Sequence, residues 1–217
     1  MQGLHLTADL HGCQCDAHWL TEAARTGAWC VQAVNAAGLQ PVADALDLTT
    51  QVPPDASPDV WQSVAGTLGG MVGVYGDDEK AAAPAKRYAI SRLSPVFQKL
   101  GWENQLNDSS TTKQLRTRLI GQLSGLGDEA VLAEARRRFA ASETDPKALP
   151  ADLRRTVLGI VAYNADAATW DKLHAMAQKE TSSLIRDQYY GLLASSKDKA
   201  LAQKALDMAL TDEPGAT

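Results

Sequence analysis

Residues 115–121 read LRTRLIG, and the same pattern returns as LRRTVLG at residues 153–159 and as IRDQYYG at residues 185–191. The copies start 38 and then 32 residues apart, a spacing typical of repeated helix pairs. An aspartate stands thirteen residues after the start of each copy, at Asp128, Asp166 and Asp198. We expect each aspartate to cap the N-terminus of a second helix, because its side-chain oxygen can accept a backbone N–H of the first turn.

Apolar residues follow each aspartate at helical spacing. In the three copies in turn they are Val131, Leu132, Ala135 and Phe139; Trp170, Leu173 and Ala177; and Leu201, Ala205, Leu206 and Ala209. Two amphipathic helices cannot bury their apolar stripes alone, so such pairs stack and share a core. The sequence therefore predicts a mainly α fold, an α-solenoid of antiparallel helix pairs of the HEAT or armadillo kind.

A glycine recurs inside the first helix of each pair, at Gly121, Gly159 and Gly191. Glycine inside a helix costs about 1 kcal/mol relative to alanine, so its recurrence predicts a close approach between helices. We expect Gly125–Gly127, Asn164-Ala165 and Ser195-Ser196 to form the short connections within the pairs. Tyr189-Tyr190 and the tryptophans stand at helical spacing and are predicted to lie in the core.

Composition limits the function classes. The chain has 217 residues, enough for one large domain or two small ones, and a formal net charge of −5. An acidic chain is a poor candidate for nucleic-acid binding by general electrostatics. The longest uncharged runs are broken by polar residues, glycine or proline, and no signal peptide is recognisable. We therefore predict a cytoplasmic protein without nucleic-acid or membrane partners.

All three cysteines and three of the four histidines lie within the first 30 residues. Five of these are close together: His5, His11, Cys13, Cys15 and His18. Their chemistry suits zinc, but their spacing does not match a zinc motif. The alternative, reduced structural thiols beside partly exposed imidazoles, is favoured, so we predict no metal and no other cofactor.

Residues 1–43 are predicted to form a short β-α-β segment. Residues 3–13 read GLHLTADLHGC, which resembles the opening of bacterial S-adenosylmethionine decarboxylase proenzymes. Those enzymes cleave themselves before a serine, which becomes a pyruvoyl cofactor. The Ser-Glu-Ser-His stretch that the resemblance requires downstream is absent here, where Ser57-Pro58 stands instead. No catalytic residue can therefore be assigned from this family.

A proline-rich stretch at residues 44–58 is predicted to be a linker, followed by a helical-repeat domain at residues 59–217. Ser57 or Asp59 should start a helix that passes through Trp61 and Leu68. A second helix should start at Asp78, be disturbed at Pro84, and be kinked or split at Pro95.

From about residue 45 onward the chain resembles the C-terminal helical domain of M1-family zinc aminopeptidases. Trp61 in an opening helix, Tyr75-Gly76 before a long helix, and Leu100-Gly101-Trp102 after it carry the resemblance, together with the repeats. The resemblance implies a HEAT-like domain that closes over a catalytic domain and shapes the pocket for the far end of a peptide. The His-Glu-x-x-His and Gly-x-Met-Glu-Asn motifs of that family are absent, and His174 has no histidine four residues away. We predict no peptidase activity in this chain alone.

Arginines are the candidate binding residues, because the guanidinium fork binds carboxylates through two parallel hydrogen bonds. The candidates for a peptide or carboxylate are Arg116, Arg137, Arg154, Arg155 and Arg186. A solvated face paired with Glu134 and Asp152 is the alternative for the arginine-rich stretches. Structural pairing is the favoured alternative for the Arg116, Arg154 and Arg186 series, which recurs with the repeat.

These patterns predict a non-catalytic fragment whose remaining role is to bind a peptide or a partner protein. An alternative function is a decarboxylase-related protein of polyamine biosynthesis, inactive for lack of its serine. A third is a scaffold that self-associates through apolar solenoid ends, because residues 212–217 supply no polar capping unit. The two resemblances predict a composite chain joined near residues 43–45.

Overall fold

The computed structural model describes residue 46 and residues 49–214. In this part of the chain there is no strand. After a helical stretch that ends at residue 51, the helices are α1 (Pro58–Gly73), α2 (Glu79–Leu100), α3 (Ser110–Leu126), α4 (Glu129–Ser142), a 3-10 helix (Pro146–Ala148), α5 (Ala151–Tyr163), α6 (Ala167–Lys179), α7 (Ser183–Ala194) and α8 (Lys199–Ala209). The predicted mainly α fold is confirmed, whereas the predicted β-α-β segment at residues 1–43 lies outside the described residues.

The chain divides into two compact units, the first ending at Leu119 and the second beginning at Ile120. In the first unit α1 packs against α2. Pro58 occupies the first turn of α1 behind the N-cap Ser57, which is the predicted start of this helix. Trp61 is buried in α1, and its indole N–H donates to the carbonyl of Pro53 at 3.2 Å.

Helix α2 runs for 22 residues through both Pro84 and Pro95. Of the predicted kink or split at Pro95, the split is wrong and the kink stays a prediction. Each proline removes one helical hydrogen bond. Both prolines, and the residues four positions earlier whose carbonyls lose a partner, lie on the exposed side of the helix. Water can therefore bind these carbonyls, while the opposite face keeps its buried contacts.

In the second unit α5 packs against α4, α6 and α7, and α7 packs against α6 and α8. The predicted apolar stripes of α4 and α6 are buried in full. The stripe of α8 is not, because only Ala205 is buried while Leu206 is 55% exposed. Burial thus decreases from α5, which buries six residues, to α7 and α8, which bury one each.

The three predicted aspartate caps are confirmed. Asp128 accepts the backbone N–H groups of Ala130 and Val131, and Asp198 those of Ala200 and Leu201. Asp166 accepts from Thr169 at 2.8 Å. Each carboxylate also lies at the positive end of its helix, which adds to the stabilisation.

The recurrent glycines do not mark close helix contacts, so that prediction is wrong. A Cβ built at Gly121 or Gly191 meets nothing within 4 Å, and at Gly159 it meets Leu192 only at 3.9 Å. Glycine is required instead at Gly127, whose φ of +86° lies in the left-handed region. There the Asp128 N–H reaches back to the carbonyl of Leu123 at 2.9 Å and closes the C-terminus of α3.

Candidate functional site

Arg116 lies inside the first unit and is 1% exposed. Its guanidinium donates to the carbonyls of Leu100 and Gly101, at 3.2 and 3.1 Å, and to Asn104 Oδ1 at 2.6 Å. It also forms an ion pair with Asp108 at 2.7 Å. These contacts tie the C-terminus of α2 to α3, so the geometry of Arg116 matches the structural pairing rather than ligand binding.

Arg137 lies on the exposed face of α4 and is engaged by a neighbour. Its Nε and one Nη each donate to a different oxygen of Glu134 at 2.7 Å. Arg138 Nε donates to the same carboxylate at 2.8 Å. The hydrogen bond from Arg137, and then that from Arg138, hold the pKa of Glu134 below its ordinary value. For Arg137, the structure therefore agrees with the alternative prediction, a solvated face on which arginines pair with acidic residues.

Arg154 and Arg155 lie on the exposed side of α5, because Leu153 and Val157 turn the opposite side of the helix into the core. Both arginines line a groove of about 470 Å³ between α5 and α7. The other lining residues are Ala151, Leu158, Glu180, Ile185, Gln188, Tyr189, Gly191 and Leu192. The groove therefore combines two cations with several apolar side chains.

Arg186 is half-buried on α7, and its Nε is buried without a hydrogen-bond partner among the described residues. Tyr190 follows one turn later, and the positive charge of Arg186 acts to lower its pKa. The three arginines that recur with the repeat thus have three different environments: Arg116 is enclosed, Arg154 lines a groove, and Arg186 is partly covered.

A polar cluster that sequence reasoning missed joins α6, α7 and the segment after α8. Oε1 of Glu213 accepts from His174 Nε2, from Gln178 Nε2 at 3.1 Å and from the Tyr190 hydroxyl at 3.1 Å. The hydrogen bond from His174 is the main reason why the pKa of Glu213 lies below its ordinary value. Burial, and then the hydrogen bond to Glu213, raise the pKa of Tyr190. The predicted core position of Tyr190 is therefore wrong, because its hydroxyl belongs to this partly exposed cluster.

An aromatic residue supports this cluster. Trp170 is fully buried in α6, and its indole N–H donates to the carbonyl of Leu193 at 3.2 Å. Its ring centre lies 5.3 Å from that of His174, which in turn lies 6.2 Å from that of Tyr190. Lys204 Nζ lies 4.1 Å from the centre of the Trp170 ring on the side of α8. The predicted core positions of Trp61 and Trp170 are confirmed.

No group of three or more metal-ligating side chains occurs among residues 46 and 49–214. The cluster His5, His11, Cys13, Cys15 and His18 lies outside the described residues. Within the same described part, no helix is long and apolar enough to cross a membrane.

Comparison with known proteins places this chain in a family. The family model of the ERAP1-like C-terminal domain matches residues 11–215. The chain belongs to this family. The resemblance to the C-terminal domain of M1 aminopeptidases is thereby confirmed.

Several curated relatives of this ERAP1-like domain are aminopeptidases. It is 29% identical to aminopeptidase M1-D of Oryza sativa subsp. japonica over 61% of the chain and 16% of that protein. It is 27% identical to human glutamyl aminopeptidase over 76% of the chain and 17% of that protein. It is also 27% identical to aminopeptidase A of Gloydius brevicauda over 81% of the chain and 18% of that protein. The chain thus spans less than a fifth of the length of these relatives.

The family match starts at residue 11, well before the predicted junction near residues 43–45. This continuous match weighs against a composite chain. The decarboxylase resemblance of residues 1–43 finds no support in the comparisons.

Proposed function

We propose that this ERAP1-like C-terminal domain is a non-catalytic binding module that holds the carboxylate end of a peptide, or of a partner protein's exposed chain, in the groove between α5 and α7. The observation that carries the proposal is that Arg154 and Arg155 line, together with Leu158, Ile185 and Leu192, a groove of about 470 Å³. Within the described residues neither guanidinium forms an ion pair, whereas Arg116 is paired with Asp108 and Arg137 with Glu134.

The groove supplies the two kinds of contact that a peptide end needs. Each guanidinium can bind a carboxylate through two parallel hydrogen bonds, which is stronger than a contact between neutral groups. Leu158, Ile185 and Leu192 offer apolar surface for the last side chain, and Ile185 is 38% exposed in the unbound chain. Covering such surface contributes about 25 cal/mol per Å². Glu180 also lines the groove, and its negative charge favours the main-chain N–H groups of the peptide that lie next to the peptide's terminal carboxylate.

The helix order supports a solenoid of stacked pairs, in which α5 and α7 are first helices of successive repeats and line one face together. In a whole aminopeptidase, we propose, this face helps to cover the substrate bound by a separate zinc domain. The chain itself holds only His5, His11, His18 and His174, and it has no His-Glu-x-x-His motif. Hydrolysis is therefore proposed to require a catalytic part that this sequence does not contain.

We also propose a cytoplasmic setting without nucleic-acid or membrane partners, supported by the net charge of −5 and by the composition. Self-association through the α7–α8 end is supported by Leu184 and Leu210, which are 68% and 89% exposed. The decarboxylase-related alternative depends on residues 1–43 alone, and no contact in the described residues supports it.

Paired peptides test the proposal. A fluorescein-labelled nonapeptide ending in leucine should bind the full chain when its terminus is a free carboxylate, and at least about 10-fold more weakly when that terminus is amidated, because the charge-assisted hydrogen bonds are lost. The Arg154→Gln/Arg155→Gln variant should bind both forms alike. Arg137→Gln is the matched control, since Arg137 is an exposed arginine of the same unit that is already paired with Glu134. Equal binding of the two peptides by the unaltered chain, or undiminished binding by the double variant, would overturn the proposal.

A further inference from the structure

Three hydrogen-bond donors converge on one carboxylate oxygen of Glu213. His174 and Gln178 stand four residues apart and therefore project from one face of α6, while Tyr190 projects from α7. Their imidazole, amide and hydroxyl groups all donate to Glu213 Oε1. A single exposed partner contributes little free energy to binding a surface carboxylate. Three donors that converge from two helices bind it more strongly, so together they form a receptor for a carboxylate.

The receptor stands on packed helices. Trp170 fixes α6 to α7 through its hydrogen bond to the Leu193 carbonyl, and its ring contacts that of His174. The His174 side chain is accordingly only 17% exposed. Donors held in place before binding lose little conformational entropy when an anion arrives.

The carboxylate, by contrast, belongs to a short segment after α8. Residues 211–213 are exposed, and the Glu213 side chain itself is 36% exposed. Within this segment, the Glu213 N–H donates only to the hydroxyl of Thr211 at 3.2 Å. The bond between receptor and carboxylate therefore joins a fixed surface to a short exposed segment.

Charges around the receptor also favour an anion. Arg186 lies one turn before Tyr190 on α7, and its charge acts on the Tyr190 hydroxyl. Its buried Nε has no hydrogen-bond partner among the described residues. The nearby Asp171 is paired with Lys204 at 2.9 Å, which offsets its negative charge.

We propose that His174, Gln178 and Tyr190 form a carboxylate-binding site that Glu213 fills in cis, and that a carboxylate supplied in trans replaces Glu213. The ligand class is a carboxylate, from either an acidic side chain or a chain end. The inference goes beyond the proposed function, because this site shares no residue with the groove of Arg154 and Arg155. Either site can exist without the other.

Occupation in cis predicts a specific pattern of competition. A tethered carboxylate acts at an effective concentration in the millimolar range or above, so a ligand in trans needs a much higher concentration while Glu213 is present than after it is removed. Replacing Glu213 by alanine leaves the donors in place and empties the site. Because Glu213 lies outside α8 and is exposed, the substitution leaves the helical core unchanged.

The experiment follows the His174 imidazole by NMR in the full chain, with its signal assigned by its loss in a His174→Gln variant. Propionate serves as the probe for an acidic side chain and N-acetylglycine as the probe for a chain end, with sodium chloride at equal ionic strength as the reference. In Glu213→Ala, at least one probe should shift the signal to saturation, at a concentration at least about 10-fold below that needed in the unaltered chain. The probe that saturates at the lower concentration identifies the source of the carboxylate.

Two further variants make the result specific. Asp212→Ala removes the neighbouring carboxylate, which accepts no hydrogen bond from His174, Gln178 or Tyr190, and it should respond like the unaltered chain. Adding Tyr190→Phe to Glu213→Ala removes one donor and should weaken binding by about 5- to 10-fold. The proposal is overturned if neither probe shifts the signal of Glu213→Ala beyond the chloride reference, or if Asp212→Ala responds as strongly as Glu213→Ala. Loss of peptide binding in the groove would leave this result unaffected, so the two proposals fail separately.

Discussion

Asp108 and Arg116 form an ion pair of 2.7 Å in which Arg116 is almost wholly enclosed. The pair closes the loop between α2 and α3, because Arg116 also binds the last carbonyls of α2. The backbone N–H of Gln105, and then the guanidinium of Arg116, hold the pKa of Asp108 below its ordinary value. Arg116, one of the predicted binding residues, is thus a structural residue that holds α2 and α3 together.

Removing Arg116 should therefore destabilise the first unit. Arg116→Ala leaves Asp108, Asn104 and two carbonyls without their shared partner, and leaving such groups unsatisfied costs about 1–3 kcal/mol. Urea unfolding followed by circular dichroism measures the change. Arg137→Ala is the control and should change the free energy of unfolding by less than about 1 kcal/mol, because its ion pair is exposed. A loss below about 1 kcal/mol in Arg116→Ala would contradict the framework role.

The same pair should make stability depend on pH in a defined direction. Since the pKa of Asp108 is lower in the folded chain than in the unfolded chain, its contribution is complete above the ordinary aspartate value of about 3.9 and is lost as pH falls through the folded value. The difference in free energy of unfolding between the unaltered chain and Asp108→Asn should therefore be constant from pH 7 to pH 5 and shrink below pH 4. A difference that grows on acidification would refute this account.

Gly121 inside α3 and Gly127 just after it should respond oppositely to substitution by alanine. Gly121→Ala adds a methyl group in open space on a helix and should stabilise the chain by about 0.5–1 kcal/mol. Gly127→Ala also meets open space, but at φ +86°, and should destabilise by about 1–2 kcal/mol. Thermal unfolding of the two variants shows whether each substitution raises or lowers the stability of the chain. Equal signs would show that backbone conformation does not decide the outcome here.

The cap of α6 gives a test of the repeat pattern. Asp166→Ala removes the acceptor of the Thr169 N–H and should cost about 1 kcal/mol. Asp166→Asn should recover most of the loss, because asparagine also accepts this bond. Urea midpoints of the two variants make the comparison, and an asparagine variant as unstable as the alanine variant would point to charge rather than capping.

The features that sequence predicted correctly are local ones. An aspartate before an apolar helical stripe caps that helix because donor and acceptor lie two or three residues apart. The start of α1 at Pro58 is predictable for the same reason. The buried stripes of α4 and α6 follow from periodicity, since each has neighbouring helices to cover it.

The features that sequence could not predict depend on distant neighbours. One repeat position is occupied by Arg116, Arg154 and Arg186. Of these three arginines, only Arg116 lies next to the loop that contains Asp108. Glu213 binds His174 across 39 residues, and no local pattern marks it. The open space at Gly121 and the solvated side of α2 at Pro95 likewise depend on what packs nearby, which periodicity does not specify.

We propose that the groove between α5 and α7 receives a carboxylate end, and a crystal structure of the chain with the leucine-ended nonapeptide is the measurement to make. We expect the terminal carboxylate within about 3 Å of the guanidinium of Arg154 or Arg155, with the leucine side chain against Ile185 and Leu192. A peptide bound with its terminus away from both arginines would show that the groove does not hold the carboxylate.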